Sequence, residues 1–128
     1  MTDEPREYDK EFVTHAFRRS RRRVGIDVER GRVTRFVVQL EYLVEPRTGS
    51  WEPVVRLDHD AGGSEDVTHD VTEDGLHVDV YRDGEKFETR ELMGPLSANE
   101  ALNAAEEHLA AHLHVYIRRF ERWHGIDP

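Results

Sequence analysis

The hydrophobic positions of this chain fall into runs whose spacing changes along its length. From about Tyr8 to Arg23, Tyr8, Phe12 and Ala16 line up with Val13 and Phe17 at helical spacing, and Val24-Gly25 supplies a stop, which predicts an N-terminal helix. Its last turn would hold RRSRRR, Arg18 to Arg23, either as a complement to the helix dipole and a partner for nearby acids or as a patch for phosphate or an acidic partner. From Val33 to Glu45 the period shortens to two. Phe36, Val38, Leu40, Tyr42 and Val44 alternate with Arg35, Gln39 and Glu41, the pattern of a long half-buried strand. After the turn PRTGS, Trp51, Pro53, Val55 and Leu57 form one face of a second strand, in which Pro53 marks an edge or a bulge. A long polar loop runs on to Gly75. Leu76 to Arg82, Asp83-Gly84 and the run after it then read as a hairpin, because Asp-Gly supplies the positive φ of a type I′ turn.

The C-terminal third carries the strongest periodicity. Ser97 and Glu100 form a capping box, and Leu102, Ala105, Leu109, Leu113, Tyr116, Phe120 and Trp123 keep one apolar face for about seven turns, up to Gly125. The predicted architecture is α+β: an antiparallel sheet of three to four strands, with an N-terminal helix and a long C-terminal helix packed on one face.

Composition narrows the class. At 128 residues the chain has the length of a single domain, 1–128, with about the first seven residues flexible. No apolar run approaches the roughly 18 residues a membrane span needs, and MTDEPREYDK lacks the layout of a signal peptide, so the expected location is cytoplasmic with no membrane partner. Zero cysteine excludes disulfides, thiolate metal sites and cysteine nucleophiles. The net charge is −9, and lysine occurs only at Lys10 and Lys86. That is a haloarchaeal style of composition, in which an acidic surface keeps the chain hydrated in molar salt. At about 1 M salt the Debye length is only about 3 Å, so the acidic total does not exclude a nucleic-acid partner.

Candidate chemistry gathers where the second strand meets the hairpin. Alternation sends Leu76, Val78 and Val80 to the core and His77, Asp79 and Tyr81 to the other face, where Arg56 and Asp58 would join them, with His59 at the loop entrance and His69 close by. These residues are either a site or the wet face of a strand. A divalent metal could use His59, His69 and His77 with Asp58, Asp60 and Asp70, although the spacing matches no metal motif. His108 and His112 lie at i and i+4 on the C-terminal helix, without the glutamate of a zincin motif; His114 and His124 carry no stronger signal. Metal-free RNA cleavage needs a base, an acid and a cation, roles open to His69 or His77, to Tyr81 or His59, and to Arg56. It calls for no cofactor.

The layout WEPVVRLDHD, loop, HD…GLHVDVYRDGEK and a final helix after Pro95-Leu96 resembles the TumE-type toxins of prokaryotic toxin–antitoxin pairs, over about Phe36 to Leu113. Carried over by residue, Arg56 and Asp58 match that family's Arg-x-Asp, and His69 or His77 its His-rich segment; His59 stands where the family tends to have Asn. The resemblance implies a toxin-like ribonuclease with RNA as substrate and an antitoxin as partner, acting through Arg56, Asp58, His69, His77 and Tyr81. The alternative is a non-enzymatic module that binds another protein; a metal-dependent enzyme is a third reading. The sequence does not determine the oligomeric state.

An acidic surface adapted to salt makes the fold salt-dependent. Thermal melts should show the midpoint falling as salt is lowered from molar to about 0.1 M, where carboxylate repulsion is less screened. A flat or rising midpoint on dilution contradicts the haloarchaeal reading.

Overall fold

Alternating apolar side chains require extended backbone when only one face is to be buried. The computed structural model, which describes residues 8–62 and 69–126, contains six such segments. They are β1 (Lys10–His15), β2 (Ser20–Glu29), β3 (Arg32–Glu45), β4 (Ser50–Asp60), β5 (Leu76–Arg82) and β6 (Glu85–Met93). Each pairs antiparallel with the next, so the order across the sheet is the order along the chain. A single helical turn, α1 (Val71–Asp74), and the long α2 (Ala98–Trp123) complete the fold.

This corrects the expected architecture in two respects. The sheet has six strands rather than three to four, and Tyr8 to Arg23 is not a helix but β1, a tight turn and the start of β2. The turn interrupts the expected helix at its middle: Arg18 takes a φ of 57°, the Ala16 N–H donates to the Ser20 carbonyl, and the Phe17 N–H donates to Ser20 Oγ. Pairing of β2 along β3 outweighs the local helical spacing, as tertiary context commonly does for short segments. The arginine run is therefore divided between two sheet faces. Arg21 and Arg23 both reach Glu41 on one face, while Arg22, opposite Leu40, lies on the other.

The core sits between the sheet and α2. Val24, Phe36, Val38, Leu40, Val55, Leu57, Val78 and Val80 meet Leu102, Leu109, Ile117 and Phe120, with Ala101 and Ala105 letting the helix approach closely. The capping box is present: Ser97 Oγ accepts from the Glu100 N–H, and the Glu100 carboxylate accepts from the Ser97 N–H. Near the other end of α2 the buried Tyr42 hydroxyl donates to Glu121 at 2.8 Å. Burial first, and then this bond, pushes the Tyr42 pKa up to about 12. At the hairpin tip Asp83 and Gly84 both take positive φ, as Asp-Gly predicts.

Two irregularities shape the uncovered face. Pro53 marks a bulge: Val55 lies opposite Leu40 but Pro53 opposite Glu41, so Val54 is the extra residue. Trp51 and Pro53 consequently leave the face of Val55 and Leu57, and the Arg21 guanidinium lies 3.9 Å over the Trp51 ring. The second irregularity separates strands. β3 and β4 are in register at ten positions, whereas β4 and β5 pair only through Val55 with Val80 and Arg56 with Asp79.

Beyond Arg56 the gap is filled from the expected polar loop, whose residues 63–68 lie outside the described residues, as do residues 1–7, expected to be flexible. The Asp60 N–H donates to the His69 carbonyl, the Val71 N–H to His59 Nδ1, and the Leu96 N–H to the Val71 carbonyl, at 2.9 to 3.1 Å. Asp70 caps α1 by accepting from the Thr72 N–H.

Gly75 joins this filler to β5 with φ 82° and ψ −178°, a region essentially restricted to glycine, and a Cβ there would meet the Met93 carbonyl oxygen at 2.2 Å. Gly75→Ala should therefore destabilise the fold by more than about 1 kcal/mol in denaturant melts. Gly84→Ala, with open space around the added carbon, should cost less.

Candidate functional site

Strand alternation determines which side chains face away from α2. On that open face stand Gln39 from β3, Arg56 and Asp58 from β4, His77, Asp79 and Tyr81 from β5, and Thr89 from β6, brought side by side by the register. His69 enters from the filler segment, where the gap between β4 and β5 leaves room. Two carboxylates are buried within this otherwise open surface: Asp58 is 1% exposed and Asp79 0%.

Buried carboxylates require partners, and both are saturated with them. Asp58 Oδ2 accepts from Arg56 Nε at 2.7 Å and Oδ1 accepts from the His69 N–H at 3.2 Å. Asp79 accepts from Thr89 Oγ1 at 2.7 Å, lies 3.1 Å from His69 Nε2, and has the Lys86 ammonium at 3.4 Å. The His69 and His77 rings stack at 4.9 Å, and His77 Nδ1 lies 3.3 Å from the Gly75 carbonyl. His69 is thus held three ways: main chain to Asp58 and Asp60, ring nitrogen to Asp79, ring face to His77.

The titration properties follow from these contacts. Burial pushes Asp58 above its ordinary value despite the charge of Arg56. Burial also acts to raise Asp79, but the hydrogen bonds from His69 and Thr89 outweigh it and hold the carboxyl below its ordinary value. The bond to Asp79 raises His69 against the opposing effect of burial. Desolvation raises the Tyr81 phenol.

The structure brings Arg56, Asp58 and His69 into one bonded cluster. His77 adjoins it by stacking, and Tyr81 shares the face and the field of Arg56; among the described residues no hydrogen bond joins either of them to Arg56. His59 lies elsewhere. It follows Leu57 on the covered face, is buried, packs on the Phe36 ring and accepts the Val71 N–H, so it is a core histidine. Asp70 caps α1 and Asp60 accepts from the Gly62 N–H. His108 and His112 stack at 4.2 Å on α2, with His108 Nε2 2.6 Å from the Tyr116 hydroxyl. His114 packs on Phe17, and His124 on Phe120.

Asp79 is the residue that sequence reasoning placed on this face without giving it a role. The available signal was its position opposite Arg56, once β4 and β5 are taken as neighbours. Lys86 and Thr89 carried no signal beyond their strand parity.

Asp58, His69 and Asp79 each offer a ligand atom within 4.8 Å of the others, a set that takes Asp58 and His69 from the six expected ligands and adds Asp79. Arg56, Thr89 and Lys86 already engage those carboxylates.

The chain matches the model of one domain family, described as a domain of unknown function (DUF7718), over residues 5–126. No curated protein and no solved structure matches it. Among the described residues no helix is long and apolar enough to cross a membrane.

His59 and His69 should respond to pH in opposite senses. His69, raised by Asp79, contributes stability that is complete below the unfolded value of 6.5 and lost as pH rises through its higher folded value. His59, lowered by burial, contributes stability above 6.5 and loses it as pH falls and the unfolded state takes up the proton. Titration of the imidazole proton resonances should place the His69 midpoint above 6.5 and the His59 midpoint below it. Asp79→Asn should bring the His69 midpoint down while leaving that of His59 in place.

Proposed function

Because the chain belongs to the DUF7718 family, described only as a domain of unknown function, its chemistry has to be argued from the site, and we propose that the open face cleaves RNA by metal-independent acid–base catalysis. The observation that carries this reading is His69 Nε2 at 3.1 Å from the fully buried Asp79. A carboxylate that accepts from one imidazole nitrogen fixes the tautomer, and the other nitrogen is then a proton acceptor. Among the described residues His69 Nδ1 has no hydrogen-bond partner, so it is available to take a proton from a ribose 2′-hydroxyl.

The remaining roles follow from the same face. As O2′ bonds to phosphorus, the P–O5′ bond breaks, and the departing O5′ must receive a proton; His77 or Tyr81 would supply it. Charge on the phosphorane needs a fixed cation. Arg56 suits that role because Asp58 engages its Nε and holds the guanidinium plane, leaving the terminal nitrogens as donors. The products are a 2′,3′-cyclic phosphate and a 5′-hydroxyl. The likeness of Arg56-x-Asp58 and its histidines to the TumE-type toxins supports RNA as the substrate class and growth arrest as the outcome.

The second reading is a divalent cation held by Asp58, His69 and Asp79, favoured by the 4.8 Å spread of their ligand atoms. It would require the cation to displace Arg56, Lys86 and Thr89 from the carboxylates.

The purified protein should convert a labelled single-stranded RNA to fragments ending in a cyclic phosphate, and its induction should arrest growth. His69→Ala and Arg56→Ala should each lower the cleavage rate by about a hundredfold or more while circular dichroism remains unchanged. EDTA should leave the rate intact; loss of activity on chelation selects the metal reading. Full activity in the His69→Ala, Arg56→Ala double variant would overturn the assignment.

A further inference from the structure

We propose that the seam between the β1–β2 hairpin and α2 binds a free small amphiphile with a single anionic head group, such as a medium-chain carboxylate. This site lies on the covered side of the sheet and is independent of the open-face chemistry. A cavity of about 330 Å³ opens there, lined by Ala16, Leu109, Ala110 and Leu113 together with the polar Thr14, His15 and Arg22. That volume lies at the lower end of the range of small-ligand pockets, and its walls are mainly apolar.

Arg22 is what sets this seam apart from an ordinary packing defect. Its register partner is Leu40, fully buried, so strand alternation places a guanidinium on the face that the rest of β2 and β3 devote to the core. Its neighbours Arg21 and Arg23, on the other face, both pair with Glu41. Among the described residues the Arg22 side chain has no carboxylate, hydrogen-bond or ring partner, although the chain carries nine more negative than positive charges. A half-buried cation in the lining of a mainly apolar cavity in an acidic protein is complementary to a ligand that brings its own anion. The guanidinium would take the head group through paired N–H donors, Thr14 belongs to the same lining, and Leu109, Leu113 and Ala16 would cover the chain.

Chain length is limited by the cavity. It accommodates a small ligand rather than a long lipid, so the committed occupant is a soluble molecule and not a bilayer.

The test is calorimetric titration of the intact protein with sodium octanoate and with 1-octanol, which share the chain and differ in charge. Octanoate should bind at least about tenfold more tightly, the difference that a charge-assisted bidentate contact provides. Arg22→Gln should abolish the difference by weakening octanoate alone. Ala110→Trp, a change at an exposed position in the lining, should block both ligands without affecting the fold. Absence of octanoate binding at millimolar concentration, equal binding of the two ligands, or undiminished octanoate binding in Arg22→Gln would each overturn the proposal.

Discussion

The early end of the β4–β5 pairing is the constraint on which the open face depends. After Arg56 and Asp79 the two strands no longer exchange hydrogen bonds, and a central position in a sheet cannot be left with unpaired backbone. The chain solves this with residues 69–71, which supply a carbonyl to Asp60, a donor to Asp58 and a donor to His59. Placing that segment in the gap also brings the His69 ring over Asp79. The backbone repair and the imidazole–carboxylate pair therefore arise from the same three residues, the first through their main chain and the second through the His69 ring.

Two buried carboxylates on the face turned away from α2 would destabilise the sheet if they were alone. Here each is enclosed by donors: Arg56 and a main-chain N–H for Asp58, and His69, Thr89 and Lys86 for Asp79. Replacing such a network by apolar residues is often neutral, whereas removing one member leaves a charge unpaired. Stability therefore does not require this arrangement, but once it is present its parts depend on one another. The opposite displacements of Asp58 and Asp79 from their ordinary pKa values express that asymmetry. Asp58 has one strong partner against its burial, Asp79 several.

The sequence was legible where one period dominates. The alternation of Phe36 to Tyr42, the Asp83-Gly84 turn and the Ser97 capping box each correspond to what formed. The N-terminal hairpin was not legible, and the numbers show why. Tyr8, Phe12 and Ala16 are four residues apart, a spacing close to one helical turn and also an even multiple of the strand period. Nothing local decides between them until β3 is available as a partner. The face of Trp51 was lost to the bulge at Val54, which Pro53 signals but does not locate. Within the candidate site, parity alone placed His77, Asp79 and Tyr81 together, and the same parity assigns His59 to the core with Val55 and Leu57. What parity could not provide was His69, because its position depends on the gap between two strands rather than on membership of either.

The identity of strand order and chain order has a kinetic consequence. Four of the five strand pairings close a short loop, and only β4 with β5 has to close the longer segment 61–75, so most of the sheet can assemble by successive local hairpins with little loss of chain entropy at each step. The helix is different. Its anchor, Glu121, meets Tyr42 across 79 residues, a far longer loop than any strand pairing closes. The capping box favours α2 as a helix before it docks, but until it does, one whole apolar face of the sheet is open to water and to other chains. Docking of α2 is then the step that separates folding from aggregation, and a newly made chain reaches it only after all six strands and the helix itself have been synthesised.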